Sequence, residues 1–204
     1  MDIKNGYHLL STSDHQIRSA LRQRLNKRYA NAPHAVILEE FTLGRGSSRV
    51  DIVVVTNRLH GFELKSDRDT LRRLPDQISI YGSVLDRVTL VVGYQHAFEA
   101  LNMVPEWWGV NLVAVGPRGG LRFSNARDPK DNPSPEKAAL AGLLWRDEAL
   151  RVLEWVDGAA GFRSKPRAAI CARIAEVASA DVLRSAVCHY LKHRKPWLSA
   201  GRQT

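Results

Sequence analysis

The amino-acid sequence predicts an α/β fold, with a central mixed β-sheet flanked by helices and a helical extension at the C-terminus. Three observations lead to this class. Short β-branched segments alternate with segments of helical spacing. The run from Ile52 to Val55 is apolar throughout, which is typical of a strand buried on both faces. From residue 164 onward the chain has helical patterns and no strand-like run. We therefore predict a core domain at 1–158 and a basic helical extension at 159–204.

The first half of the chain supplies one helix and three strands of this prediction. The helix runs from Ser13, a suitable N-cap, to Tyr29, with apolar residues at helical spacing. Its basic face either contacts only solvent or binds backbone phosphates, and the charge alone does not decide between the two. Strands are predicted at 35–43, 50–55 and 61–65, with a loop at 44–48 and a short connection at 56–60.

The second half continues the alternation of helices and strands. A helix is predicted at 67–85, with Pro75 starting its second part because proline suits the first helical turn. A Pro- and Gly-rich loop region at 117–135 contains a short strand at 121–123. The other predicted elements are a strand at 88–92, a short helix at 98–103, a strand at 110–115, a helix at 135–155, and two helices from residue 164 that are interrupted near Ser179.

The charge of the chain favours a polyanionic partner. The 204 residues carry a formal net charge of +9, and phosphates attract Lys and Arg at long range. From residue 164 onward the chain has eight Lys or Arg residues and two acidic residues, which gives a net charge of +6. We therefore expect Lys192, Arg194 and Lys195 in this extension, together with Arg49, to contact nucleic acid. DNA is the favoured partner and RNA the alternative.

Several other partners and locations are not favoured by the sequence. No apolar run is long enough to cross a bilayer, and the N-terminus lacks a signal peptide. The two cysteines, Cys171 and Cys188, fit a reducing compartment and lack the spacing of a zinc site. We expect a cytoplasmic protein with no membrane partner. The oligomeric state stays open, a homodimer included.

The stretch 49–65 predicts a β-hairpin on which charged side chains converge. Residues two apart on a strand share a face, so Glu63 and Lys65 point the same way. A turn near residues 57 and 58 places Asp51 opposite Glu63 or Lys65, and opposed residues share a face. The hairpin therefore brings two carboxylates and an ammonium group together beside apolar strands.

That arrangement suits phosphodiester hydrolysis. Mg²⁺ prefers oxygen ligands and is usually held by one or two carboxylates together with waters and substrate phosphate. The ion polarises the phosphate, activates water and stabilises the leaving oxygen, and a neighbouring Lys can orient the attacking water or neutralise the developing charge. Each residue alone has an ordinary explanation, because alternating charge is common on a solvent-facing strand. Asp51, however, precedes four apolar residues, where an unpaired carboxylate is costly.

The order of these motifs resembles the PD-(D/E)XK nuclease superfamily. An Asp near a strand start is followed by a hairpin, by Glu63-Leu64-Lys65, and by a helix carrying Gln77 and Tyr81, similar to the helix motif of the RecB-like branch. The segments 49–92 and 105–109 also resemble a small bacterial and phage family within that superfamily. The resemblance covers roughly residues 13–155. One departure is the absence of a proline before Asp51, where Arg49-Val50 stands instead.

The resemblance implies a restriction-endonuclease-like core that uses Mg²⁺ or Mn²⁺, and it implies no particular substrate. It assigns Asp51, Glu63 and Lys65 to catalysis, with Asp51 and Glu63 binding the metal. An upstream carboxylate often completes such a site. Glu39 and Glu40 both precede Asp51, and strand alternation sends them to opposite faces; the family pattern favours Glu40.

Gln77 and Tyr81 lie one helical turn apart and share a face. The resemblance makes them catalytic residues that face the hairpin and help to position water or the nucleic-acid backbone. The alternative is that this helix face only packs on the sheet.

The sequence thus predicts a metal-dependent nuclease. Two alternatives remain: a binding module that has kept the fold without the chemistry, and a basic regulator that binds DNA through its C-terminal helices. The sequence leaves open whether the substrate is duplex, single-stranded, branched or RNA, and whether cleavage is endo- or exonucleolytic.

Overall fold

Six strands form one mixed sheet in the order β1-β2-β3-β4-β5-β6 in a computed structural model of the chain, which describes residues 11–194. Strands β1 to β3 pair antiparallel, β3 to β5 pair parallel, and β5 and β6 pair antiparallel. The predicted α/β class with a mixed sheet is confirmed. The strands are β1 Val36–Leu43, β2 Ser48–Val55, β3 Leu59–Lys65, β4 Arg87–Gly93, β5 Gly109–Val115 and β6 Leu121–Arg127.

Helices cover both faces of the sheet. On one face α1 buries Ile17, Leu21 and Leu25 against apolar residues of β2, β3, β4 and β5. On the other face α2 and the C-terminal helices share one larger apolar cluster with the sheet. The helices are α1 Asp14–Arg28, α2 Leu74–Val84, α3 Ala97–Met103, α4 Lys137–Ala141, α5 Arg146–Asp157, α6 Arg167–Val177 and α7 Ala180–His193.

The helix predicted at 67–85 is wrong in its first part, since α2 begins only at Leu74. The backbone N–H and the hydroxyl of Ser66 both donate to Asp69 Oδ2, at 2.7 and 2.6 Å. Such local side-chain bonds favour a turn over a helix. Asp67 is held from outside the segment, because Thr12 donates to its Oδ2 and the Gln95 N–H to its Oδ1. Residues 67–73 therefore form a turn that connects β3 to α2.

Two further predictions needed correction. The single helix expected at 135–155 is divided into α4 and α5, because the intervening carbonyls bind arginines from distant elements: Arg167 Nε donates to the Leu144 carbonyl and Arg194 Nη2 to the Leu143 carbonyl, both at 2.7 Å. The strand expected at 121–123 extends to Arg127. It pairs with β5 from Leu121 to Arg127, with a register shift between Val110 and Asn111, and polar side chains suit its position at the sheet edge.

The two C-terminal helices α6 and α7 are present as predicted, with α6 beginning at Arg167 and the interruption at Ser179. Arg184 on α7 reaches Asp86, a buried carboxylate that precedes β4, at 2.5 Å. The second oxygen of Asp86 accepts the Leu59 N–H at 2.8 Å. This carboxylate thus joins α7 to the starts of both β3 and β4.

No helix among residues 11–194 combines the length and the apolar character that crossing a membrane requires.

The environment of His60 on β3 predicts that the protein loses stability in acid. Its Nε2 lies 2.8 Å from the Thr89 hydroxyl and its ring stacks on Phe62. Burial, with the positive charges of Arg28 and Arg87, lowers the pKa of His60 from 6.5 to about 3. Between these values the unfolded chain binds a proton that the folded protein excludes. We expect this contribution to stability to be complete above pH 6.5 and to fall by about 1.4 kcal/mol per pH unit on acidification towards pH 3.

Urea unfolding of His60→Gln from pH 7 to 4 tests this expectation. The variant should lose stability with acid less steeply than the wild type. His34→Gln is the control, because His34 is exposed in the folded protein as well as in the unfolded chain. Equal slopes for His60→Gln and the wild type would contradict the assignment.

Candidate active site

Strands β2 and β3 separate at the position of the predicted site. Their regular pairing ends at Ile52 opposite Phe62, so Asp51 and Glu63 are the first residues beyond it. Val50 and Val53 both pack in the cluster under α2, although they are three positions apart, so strict side-chain alternation is interrupted between them. The gap opens into a cavity of about 710 Å³ between α1 and α2.

The cavity contains most of the residues that the sequence singled out. Asp51, Glu63, Lys65 and Gln77 line it, and so does Arg49. Tyr81 lies fully buried behind Glu63. The hairpin register therefore brings the two carboxylates and the ammonium group into one cavity, although the unbroken alternation assumed for β2 is interrupted between Val50 and Val53.

The Glu63 carboxylate is enclosed by three hydrogen-bond donors. Its Oε1 accepts from Lys65 Nζ and from Gln77 Nε2, both at 2.6 Å, and its Oε2 accepts from the Tyr81 hydroxyl at 2.7 Å. The side chain of Glu63 is only 3% exposed. Burial raises the pKa of Glu63, and the negative charge of Asp51 raises it further, while Lys65 and Tyr81 oppose this shift.

Asp51 is held from the opposite side. Its Oδ2 accepts the Leu64 N–H at 2.8 Å, which places the carboxylate one peptide unit from Glu63. Its Oδ1 accepts from Arg18 Nη2 at 2.6 Å. Arg18 belongs to α1, so the charged partner of Asp51 comes from a helix, whereas the charged partner of Glu63 is Lys65 on its own strand.

The upstream carboxylates take different positions. Glu40 pairs with Arg18 at 2.9 Å and with Arg49, and both of these arginines line the cavity. Glu39 instead pairs with Arg22 at 3.0 Å. Glu40 also has a positive φ of 54°, an uncommon backbone conformation for a side chain of this size. Of the two residues, Glu40 is the one connected to Asp51, through Arg18.

The donor set fits a single Mg²⁺ or Mn²⁺ ion. Asp51 and Glu63 offer hard oxygen atoms in one cavity, and Gln77 Oε1 is buried there with no hydrogen-bond partner among the described residues. Within residues 11–194, no group of three or more His, Cys, Asp or Glu residues forms a metal cluster. An ion bound here would therefore take its other ligands from water and substrate, as Mg²⁺ commonly does.

Two cationic residues of the cavity were not predicted from the sequence. Arg18 belongs to the basic face of α1, but its side chain points into the site. Arg73 is exposed at the cavity rim and makes no ion pair within the described part of the chain. The signal for Arg18 was its place next to Ile17, at the buried stripe of α1.

The expected nucleic-acid contacts in the extension lie away from this cavity. Lys192 lines a separate hollow with Arg58, at the β2–β3 turn, which is the end of β3 opposite to Lys65. Arg194 is only 11% exposed; its guanidinium binds both oxygens of Glu148 and lies over the Trp145 ring. Arg194 is therefore occupied within the fold, and we leave it out of the proposed interface. Lys195 lies outside the described residues.

Three comparisons place the chain among known proteins. A family model described as "Bacteriophage P4 protein cII" matches residues 10–199. Protein cII of Enterobacteria phage P4 is 31% identical over 97 residues, which is 48% of this chain; the chain spans only 36% of that relative. A protein of unknown function from Silicibacter pomeroyi aligns with a TM-score of 0.39 and 19% identity, over 68% of this chain and 90% of that one.

Tyr81→Phe tests the enclosure of Glu63. The substitution removes the hydroxyl that donates to Glu63 and that also lies 2.8 Å from the Arg49 carbonyl. Because a hydrogen bond to a buried charge contributes about 2 kcal/mol, we expect the free energy of unfolding to fall by about that amount in urea titrations. Tyr94→Phe, at an exposed tyrosine, is the control. Equal stability of Tyr81→Phe and wild type would show that the hydroxyl does not support Glu63.

Proposed function

The chain belongs to the bacteriophage P4 protein cII family, and we propose that it is a metal-dependent nuclease that cleaves DNA in the cavity between α1 and α2. The proposal identifies Asp51, Glu63 and Lys65 with the PD-(D/E)XK motif that the sequence resembles. Its main support is the convergence of these three residues in one cavity with a cationic rim. The reducing cytoplasm is the compartment that we propose for it.

The charges of the cavity support a phosphodiester substrate. Two carboxylates alone would repel a phosphate, but a divalent cation between them reverses the sign of the local field. Arg49 and Arg73 at the rim add positive charge where the neighbouring phosphates of a nucleic acid would approach. This combination of carboxylates inside the cavity and arginines at its rim favours a polyanion over a neutral substrate.

Each residue has a definite task in this proposal. Asp51 and Glu63 hold the ion, which polarises the phosphate and stabilises the leaving oxygen when it is bound. Lys65, beside Glu63, neutralises negative charge that develops on the phosphate. Gln77 and Tyr81 fix the orientation of the Glu63 carboxylate. Gln77 Oε1, unpaired among the described residues, is free to accept a hydrogen bond from a water molecule.

A second candidate function is nucleic-acid binding without cleavage. It is supported by the pairing of Asp51 with Arg18. Under this alternative, Arg18 supplies permanently the positive charge that the nuclease takes from a metal ion. The two functions differ in whether DNA is broken.

Cleavage assays with labelled duplex DNA, single-stranded DNA and RNA, in Mg²⁺, Mn²⁺ or EDTA, separate the two functions. We expect metal-dependent cleavage of DNA. Asp51→Asn and Glu63→Gln should each lower the rate by at least about a hundredfold, because even second-shell partners of metal ligands contribute 10–100-fold. Glu99→Gln, at an exposed carboxylate outside the cavity, is the control. Binding without cleavage in every metal would favour the second candidate, and cleavage of RNA alone would change the substrate.

A matched pair of arginines tests the rim. Arg73 lines the cavity, while its neighbour Arg72 is exposed and does not. If Arg73 contacts a phosphate, Arg73→Gln should reduce the slope of log affinity against log salt concentration by about 0.9 on duplex DNA. Arg72→Gln should leave the slope unchanged. Binding isotherms in Ca²⁺ at several salt concentrations provide the measurement, and equal slopes for all three proteins would remove Arg73 from the interface.

A further inference from the structure

Arg18 is placed between carboxylates that come from three elements. Its Nη2 lies 2.6 Å from Asp51 Oδ1 on β2, its Nη1 2.9 Å from Glu40 Oε1 on β1, and its Nε 3.2 Å from Asp14 on its own helix. The side chain is 22% exposed. Burial alone would lower the pKa of this guanidinium, but the bonds to Asp14 and Asp51 raise it above its ordinary value. Arg18 therefore carries a permanent positive charge at the edge of the cavity.

We infer that Arg18 is a positioning residue that holds Asp51 and Glu40 when no divalent cation is present, and that it competes with the cation for these two carboxylates. This inference rests on the proposed function, because it assumes that Asp51 binds the metal. It adds a residue to the site that neither the sequence resemblance nor the family description assigns.

The geometry of Asp51 makes this competition direct. The Leu64 N–H occupies Oδ2, so Oδ1 is the oxygen without a backbone partner, and Oδ1 is the atom that Arg18 binds. A cation that takes Oδ1 as a ligand must share it with the guanidinium or displace it. Glu40 Oε1, the other oxygen that Arg18 binds, belongs to the expected third carboxylate of the site.

If a cation displaces the Arg18 guanidinium from Asp51, Arg18 still has a carboxylate partner. Asp14 lies one helical turn away on α1, is 47% exposed, and faces Arg18 through both of its oxygens at 3.2 and 3.3 Å. The helix itself is fixed by Ile17, which is fully buried next to Arg18. The guanidinium can therefore release Asp51 without leaving the cavity and without becoming unpaired.

Charge repulsion explains why an arginine is placed here. Asp14, Asp51 and Glu63 all line the cavity, and their negative charges repel each other when no cation is bound. A guanidinium has five donors in a planar fork and can bind several carboxylates at once, whereas an ammonium group cannot reproduce that geometry. Arg18 thus stabilises the metal-free protein and weakens metal binding.

Calorimetric titration of Mn²⁺ into the full chain tests the inference. We expect Arg18→Gln to bind Mn²⁺ about tenfold more tightly than wild type, since one charge-assisted competitor is removed. Arg18→Lys should fall between the two, because it keeps the charge and loses the fork. Arg22→Gln is the matched control: Arg22 lies one turn further along α1 and pairs with Glu39 outside the cavity, so its replacement should leave the affinity unchanged.

Two results would overturn the inference. One is an Mn²⁺ affinity of Arg18→Gln that is unchanged or weaker than that of the wild type. The other is a wild-type Mn²⁺ affinity of Arg18→Lys, which would show that only the positive charge of residue 18 matters. The Asp51→Asn titration separates this failure from failure of the proposed function. Loss of binding in Asp51→Asn with no gain in Arg18→Gln rejects only the role of Arg18. Equal binding by wild type and Asp51→Asn rejects the metal site itself.

A second measurement uses the wild-type protein, in case Arg18→Gln does not fold. The Nε–H resonance of Arg18, assigned with Arg18→Lys, is followed by ¹⁵N NMR during titration with Mg²⁺. Competition predicts that this resonance shifts with the same midpoint as metal binding. A resonance that stays in place while Mg²⁺ binds would overturn the inference.

Discussion

Glu63 carries a carboxylate into the packed interior between β3 and α2, and the arrangement of the site depends on how that charge is satisfied. A buried charge is tolerated only when it is paired and hydrogen-bonded. Lys65 on the same strand supplies the counter-charge, while Gln77 and Tyr81 supply donors from α2. The same tyrosine hydroxyl lies within hydrogen-bond distance of the Arg49 carbonyl in β2. One carboxylate therefore fixes the position of α2 relative to both strands of the hairpin.

The second carboxylate of the site is held by a different layer of the fold. Asp51 stands where β2 leaves β3, and its partners are a backbone N–H of β3 and the guanidinium of Arg18 on α1. The cavity is thus bordered by one helix from each face of the sheet, and each helix holds one carboxylate. A divalent cation that binds between Asp51 and Glu63 would connect the carboxylate held by α1 to the carboxylate held by α2. Metal binding would therefore have a structural effect as well as a chemical one.

The sequence could predict those parts of the site that depend on local periodicity. The position of the hairpin turn fixes the register that brings Asp51 next to Glu63, and alternation along β3 puts Lys65 on the same face, whereas the interruption of alternation in β2 between Val50 and Val53 was not predicted. The turn at 67–73 and the division of the helix at 135–155 were not predicted. The first depends on the bonds of Ser66 to Asp69, the second on Arg167 and Arg194 binding distant carbonyls. Arg18 was missed for the same reason as the bonds of Arg167 and Arg194, since its partner Asp51 lies 33 positions further along the chain.

The central claim is that Asp51 and Glu63 together bind one divalent cation. The most direct test is a crystal structure of the full chain soaked in Mn²⁺, with anomalous diffraction data that locate the ion independently of the protein atoms. We predict one strong anomalous peak in the cavity, about 2.1 Å from an oxygen of each carboxylate. A peak at another place, or no peak at Mn²⁺ concentrations that saturate any measured binding, would contradict it.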